Sequence, residues 1–456
     1  MDTEILQKNL ISTAVALWLV LLICSSASTT ALAATSIYTA QTAKGTNDGS
    51  SCANAHSASW FNTSGNWGSG STQIGPGTTV HLCGTITSDL TFKGSGTSGN
   101  YITVDGAGAT MSATFFAGPT FSYGKIQNVT WADNFGRQLF SCTSCGNFIF
   151  TNNRADNWHG GQAIYIAEDG TTRLPQITAS NNYIRTSTGN FGDVQNDIVF
   201  CAGCTNTIIE GNHFEMRIVG ASPYSYAHDD VIQSFRKGGA SLGPPSNLTI
   251  RYNKIVMNTA DGAHRSWCML EHLGGTNYIY GNLFLGIQGA DGANGCALYR
   301  GQSGVVHHFI GNTVVAKGTA SNNTLNLLGT GSTINIRNNI FYTAGNQGYT
   351  ISMSTINRSN NLWYGTRAPA CTGTGEICGN NPLFTDYANN DFTLQSGSLA
   401  KGAGFTFAGP YNYGPVNSLT WPNPTLAQKS STWDIGAFVN VSGGGGLMPP
   451  ANLRVQ

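Results

Sequence analysis

The chain has 456 residues, and 22 Lys and Arg balance 22 Asp and Glu, so its formal net charge is zero. That balance argues against a nucleic-acid partner, which selects a basic surface. Only 10% of residues are charged and 58 are glycine, a composition that could suit disorder, but 40% are hydrophobic and fall in regular short runs that can build a core.

The first segment in chain order is "ISTAVALWLVLLICSSASTTALAA", preceded by Lys8 and containing Ala31-Leu32-Ala33. A charged start, a short apolar run and small residues at cleavage spacing read as a secretory signal peptide over residues 1–33. The alternative is a membrane anchor, for which the apolar run is short. No later stretch is long enough to cross a membrane, so the mature chain is expected to be extracellular or periplasmic, without a span. Ten cysteines follow, an even number that suits disulfides in an exported chain. The suggested pairs are Cys52–Cys83, Cys142–Cys145, Cys201–Cys204, Cys268–Cys296 and Cys371–Cys378. "CTSC" and "CAGC" also raise the possibility of zinc.

Residues 34–438 read as one all-β domain. "IGPGTTVHLCGTI" and "GSGTSGNYITVDGAGATMS" give opening strands and a corner. A repeat then runs through "NFIFTNNRA", "QITASNNYI", "NTIIEGNHF", "NLTIRYNKI", "NYIYGNLF", "HHFIGNTVV" and "INIRNNIF". Each has alternating apolar residues, an asparagine and another apolar position. The asparagines are Asn153, Asn182, Asn212, Asn253, Asn282, Asn312 and Asn339, with Asn361 as an eighth. Their gaps are 29, 30, 41, 29, 30, 27 and 22 residues. A period near thirty without helical periodicity means stacked β coils. Two or three short strands per turn, joined by Gly- and Asn-rich corners, describe a single-stranded right-handed parallel β-helix. The asparagines are then expected to form an amide ladder along one corner.

The register decides the zinc question. Cys142 and Cys145 lie 11 and 8 residues before Asn153, and Cys201 and Cys204 lie 11 and 8 before Asn212. The two pairs share a corner two coils apart, roughly 10 Å. Zinc–thiolate bonds of about 2.3 Å cannot span that, so two local disulfides are expected.

The 41-residue gap marks one enlarged coil, and it holds "YAHDDVIQSFRKGG", residues 226–239. Tyr226, His228, Asp229, Asp230, Gln233, Arg236 and Lys237 gather there in a chain poor in charge. Register sets Asp197 of "QNDIVF" beside Asp230. The next coils bring Asp261, His264, Arg265, Glu271 and His272 in "DGAHRSWCMLEHL", then Tyr299 and Arg300 in "CALYRG". In-register stacking would make these a band of about 10–15 Å on one flank. The bland reading stands beside this one. Asp197 or Asp230 can cap a corner by accepting backbone N–H bonds, and Arg236 and Lys237 can be solvated loop charges.

"NNDFTLQSGSLAKGAG" and "WDIGAF" close the domain, and residues 439–456 read as a Gly/Pro-rich tail or linker. With the opening strands, these ends resemble secreted right-handed parallel β-helix proteins of the pectate-lyase-like superfamily. The opening is similar to that family's "PGDTV-x-L-x-x-G-x-Y" start, and the ending to its "DF-x-L-x-x-GSPAI-x-x-G … DIGA" finish. The resemblance covers about Tyr38 to Phe438. It implies a carbohydrate-active protein that takes a polysaccharide, often an acidic one. Of the polygalacturonase-like "NTD", "DD", "GHG" and "RIK" only "DD" is present, at 229–230, and the pectate-lyase "WIDH" and "R-x-P-x-x-R" are missing.

The chemistry expected first is eliminative cleavage of a uronate polymer. Asp197, Asp229 and Asp230 are candidate Ca²⁺ ligands. His228, Asp230, Arg236, Lys237, Arg265 and Glu271 are candidate catalytic groups, with His228 suited to proton transfer near neutrality. Tyr226, Gln233, His264, Tyr299 and Arg300 are candidate substrate contacts. One alternative is a glycoside hydrolase pairing Asp229 or Asp230 with Asp261 or Glu271. Another is a non-catalytic glycan-binding or adhesion protein. A monomer is expected.

Overall fold

Runs such as Ile102–Asp105 and Gly124–Gln127 alternate buried with half-exposed residues, so each lies flat with one face on a core. A computed structural model describes residues 35–168, 176–188, 196–217, 229–235, 244–258, 265–287, 295–299, 303–318, 323–407, 409–440 and 447–448. Within these residues the strands form parallel sheets of 21 and 12 strands. Every coil supplies a strand to a first flank, turns a corner into a second, then turns again into the 12-stranded flank. The long strands Asn323–Arg337 and Gly348–Ser359 run around the first corner and join two flanks into one sheet. This is a parallel β-helix, right-handed by the general rule for parallel crossovers. Its core is one continuous apolar cluster from Ile37 to Trp363.

The asparagine ladder is present. Asn153 N–H donates to Asn182 Oδ1 at 3.0 Å, and the same bond recurs from Asn182 to Asn212, Asn253, Asn282, Asn312, Asn339 and Asn361 at 2.9–3.0 Å. All eight side chains are buried. The residue before each has a left-handed backbone: Asn152, Asn181, Gly211, Tyr252, Gly281, Gly311, Asn338 and Asn360 have φ between 52° and 65°. Gly and Asn tolerate that region best, which is why the sequence shows "NN" and "GN" at this corner.

Both ends of the core are closed. At the start, Phe61 of the short helix Ala58–Phe61 joins Trp67 and Ile74 over the first coils. At the far end, Ala368 packs on the core from a loop that carries the Cys371–Cys378 disulfide and Glu376. Glu376 terminates the ladder. It accepts from Asn361 Nδ2 at 3.0 Å, Trp363 Nε1 at 2.9 Å, Arg358 at 2.8 and 3.1 Å, and Gly373 N–H at 2.9 Å.

All five expected disulfides are present, which closes the zinc alternative. The C-terminal strap then crosses the outer side of the 12-stranded sheet. Phe384, Phe392, Ile435 and Phe438 bury Leu283, Leu285, Val315, Ile340 and Leu362 there. Residues expected to be tail also pair: Leu447–Met448 lies antiparallel to Leu426–Gln428. Among the described residues no helix is long and apolar enough to cross a membrane, and residues 1–34 lie outside them.

Candidate functional site

Five successive strands of the first flank carry the predicted site: β1 (Gln162–Ala167), β2 (Asp197–Ala202), β3 (Asp229–Phe235), β4 (Arg265–Glu271) and β5 (Cys296–Tyr299). The connections entering them lengthen here: residues 159–161 lead into β1, but residues 187–196 lead into β2 and residues 217–228 into β3. Long connections at one corner are where a solenoid places binding groups.

At the start of these strands a polar corner forms. Asp197 Oδ1 accepts the Asp230 N–H at 2.9 Å, so the expected neighbours meet. Ser266, opposite Asp230 in register, donates its hydroxyl to Asp230 Oδ1. Asp229 Oδ1 accepts the Asn196 N–H at 2.9 Å, and Asn196 Oδ1 faces the N–H groups of Gly160 and Gly161 at 3.3 and 3.4 Å. Asp229 is paired in register with Arg265. Asp197, Asp230 and Ser266 are fully enclosed, and Asp229 is 7% exposed.

This corner repeats the logic of the asparagine ladder with a different residue. The Asn196-to-Asp229 bond has the direction and length of a ladder rung, from the backbone of one coil to the side chain of the next. The Asp230-to-Asp197 bond runs the opposite way. An amide oxygen serves as acceptor at the other corner, so hydrogen bonding alone does not require a carboxylate here. Burying one costs more than burying an amide unless charge is compensated.

Several predicted residues do not join this corner. Glu271 lies at the far end of β4, five residues beyond Ser266 and roughly 17 Å along the strand. That exceeds the separation of a hydrolase carboxylate pair, so Asp229 or Asp230 with Glu271 is ruled out as such a pair. Glu271 is instead opposite Tyr299, and this end of the flank is a second locus rather than part of one band. Gln233 sits midway, 4% exposed, between Phe200 and Met269 in register. Asp197, Asp229 and Asp230, the expected Ca²⁺ ligands, all lie on the starts of β2 and β3. Asp229 and Asp230 are consecutive strand residues, the bridging carboxylates are those of Asp229 and Asp197, and among the described residues no three Asp, Glu, His or Cys side chains gather as ligands. Tyr226, His228, Arg236, Lys237, Asp261, His264 and Arg300 lie outside the described residues, and Arg265 and Tyr299 are placed by their backbones alone.

Other features escaped sequence reasoning. Asn196 and Ser266 complete the corner, and their signal was alignment with Asp229 and Asp230 one coil away. Glu168 is a second buried acid, 4% exposed, lying over Gly203. It lines a cavity of about 20 Å³, room for one water, with Ser144, Cys145, Cys204 and Thr205. Tyr165 and Phe200 stack 5.2 Å apart with ring planes at 10°, and Phe235 meets Phe200 edge-on at 5.2 Å. The facing ring surfaces of Tyr165 and Phe200 pack against one another, so this row first serves to clamp coils.

No protein-family model and no curated protein sequence matches the chain. Among solved structures, it is similar to the crystal structure of pectate lyase Pel9A. Sequence identity is 15% and the TM-score is 0.47, over 90% of this chain and 98% of that one.

Proposed function

We propose that this chain is a secreted carbohydrate-active protein that cleaves an acidic, uronate-containing polysaccharide by β-elimination at the polar corner of β2, β3 and β4. The observation that carries the reading is the presence of enclosed carboxylates at Asp197, Asp229 and Asp230, where asparagine does equivalent bridging along the opposite corner. An acid retained where an amide would suffice points to chemistry rather than to coil stapling. Five disulfides suit an oxidising compartment.

Elimination needs a cation for the uronate carboxylate, a base for the adjacent C–H and a proton for the leaving oxygen. Arg265, in register with Asp229, is the group assigned to the carboxylate, because guanidinium pairs with it through two parallel bonds. His228 and Lys237 flank β3 in sequence and are assigned to proton transfer. Asp197 and Asp230 position the start of β3 through the bond between them. No step is assigned to Ca²⁺ here, since among the described residues no three Asp, Glu, His or Cys side chains gather as ligands.

A binding protein without turnover is favoured by one observation, that Asp197 and Asp229 already bridge backbone and Asp230 accepts the Ser266 hydroxyl. Asp230→Asn separates the two readings, since the amide keeps an acceptor oxygen and loses the charge. The assay follows absorbance of the unsaturated product on a panel of uronate polymers. The expected result is growth for the native protein and a fall of about 100-fold or more for Asp230→Asn, with little change in melting temperature. Full activity in Asp230→Asn would make the corner structural. Retention of a polymer by the native protein without any new absorbance would leave a binder.

A further inference from the structure

Lys429 lies where the C-terminal strap crosses the corner of the asparagine ladder. Its backbone N–H is fixed to the Asn412 carbonyl at 2.7 Å, and its Nζ sits 4.6 Å from the centre of the Trp433 ring. On the solenoid side it faces Gly311, the left-handed residue before Asn312, where a Cβ would come within 3.3 Å of Nζ. The bare backbone therefore leaves the amine its space. Two lysines elsewhere on the outer surface have an acceptor or a counter-charge: Lys317 donates to the Tyr387 carbonyl at 2.5 Å, and Lys254 feels Glu215. Lys429 has an aromatic face, a bare glycine and the more distant field of Asp434. It is only partly buried, so a small reagent can reach it from solvent.

We propose that Lys429 is a nucleophilic amine at which small aldehydes, the open-chain end of a reducing sugar included, condense to an imine. The neutral nitrogen attacks the carbonyl carbon and a C–N bond forms. Protons pass from nitrogen to oxygen, and one water leaves, so amine plus aldehyde gives imine plus water without oxidation or reduction. Lysine in an apolar setting next to an aromatic ring is suited to this, because the neutral form is the reactive one.

Burial, partly offset by Asp434, pushes the Lys429 pKa down to about 8. At pH 8 about half of such an amine is neutral, against roughly 0.4% of an ordinary lysine near 10.4. Nucleophilicity falls with basicity, by roughly tenfold over that interval if the Brønsted slope known for thiols applies. A net advantage of about tenfold remains.

The test is brief reductive methylation of the native full chain with formaldehyde and cyanoborohydride, mapped by peptide mass spectrometry. At pH 8, Lys429 is expected to gain label about tenfold faster than the exposed Lys44 and Lys93. By about pH 10 the order should invert, since an ordinary lysine is then both substantially neutral and the stronger nucleophile. Circular dichroism of the labelled protein should remain native. Labelling of Lys429 no faster than Lys44 and Lys93 at pH 8, or only after the protein unfolds, overturns the proposal. So does an order that is unchanged between pH 8 and pH 10, which would reflect accessibility alone.

Discussion

Asn253→Ala probes the ladder at its centre, where the coil that carries the candidate site ends. Asn253 Oδ1 accepts the Asn212 backbone N–H at 3.0 Å and its Nδ2 at 2.9 Å. Asn253 Nδ2 donates to the Ile209 carbonyl at 2.8 Å and to Asn282 Oδ1 at 3.0 Å. Alanine removes all four. Asn282 Oδ1 keeps the Asn253 N–H, and Asn212 Nδ2 keeps the Ala179 carbonyl at 2.9 Å. The Asn212 N–H is left without its acceptor, and the Ile209 carbonyl loses one of its donors, in a place with no access to water. A stranded buried polar group costs about 1–3 kcal/mol, so the two together predict a loss of about 3–4 kcal/mol. Asn253→Asp should be no milder, because a carboxylate oxygen would then face the Ile209 carbonyl and Asn282 Oδ1. Urea denaturation followed by circular dichroism measures the loss. A change below about 1 kcal/mol for Asn253→Ala would mean that stacking of the apolar strands, rather than the amide ladder, fixes the coil register.

Two further predictions concern pH. Burial pushes the Glu376 carboxyl up, but hydrogen bonds from Arg358, Asn361 and Trp363 outweigh it and hold the group below the ordinary glutamate range. Its stabilising share is complete above the unfolded value and is lost as pH falls through the folded one. Glu376→Gln should therefore weaken the protein at neutral pH and flatten the acid limb below about pH 4.5 in thermal melts. An acid limb parallel to that of the native protein would refute this. His213 is pushed down to about 3 by burial, reinforced by Lys254, Arg185 and Arg154. It stays neutral when folded but takes a proton when unfolded below about 6.5, so stability should fall as pH drops from 6.5 toward 3. His213→Gln should remove that part of the slope, and an unchanged profile would count against a neutral imidazole in the folded state.

The ladder was legible because its geometry dictates residue type twice over. The corner needs a left-handed residue and then a buried amide, so "NN", "GN" and "YN" recur with the period of the coil. The disulfides followed from the same register. The strap was not foreseen, although a signal for it existed. Where the 12-stranded sheet meets solvent its strands alternate, as in Tyr183–Thr186 with a half-exposed Arg185, or His213–Met216 with a half-exposed Glu215. Where the strap covers it the alternation disappears: Leu283–Gly286 and Thr313–Ala316 are buried at every residue. Loss of period 2 marks a strand enclosed on both faces, and here it marks which coils the C-terminal segment reaches.

Of the candidate site, the pairing of its acids was legible but the arrangement along the strands was not. Register placed Asp197 against Asp230 correctly because strand pairing is set by the repeat. It could not show that Glu271 lies a strand's length away, because the notion of one band ignored the distance along β4. Nor could it separate a carboxylate that bridges coils from one that does chemistry, since both are written as Asp beside a corner. Under the proposed reading, bridging and chemistry are not alternatives at this place. Asp197 and Asp229 bridge, and bridging fixes their oxygens relative to Asp230 and Ser266 without any motion of the solenoid. A reactive carboxylate benefits from being held in this way, because a group already oriented needs no reorganisation when charge develops beside it. The asparagine corner then acts as an internal reference within the same molecule: side-chain oxygens that bridge backbone between coils, similar burial, and amides in place of acids. The difference between the two corners is confined to the oxygens that aspartate has in place of an amide nitrogen, and it is there that the Asp230→Asn comparison isolates function from fold.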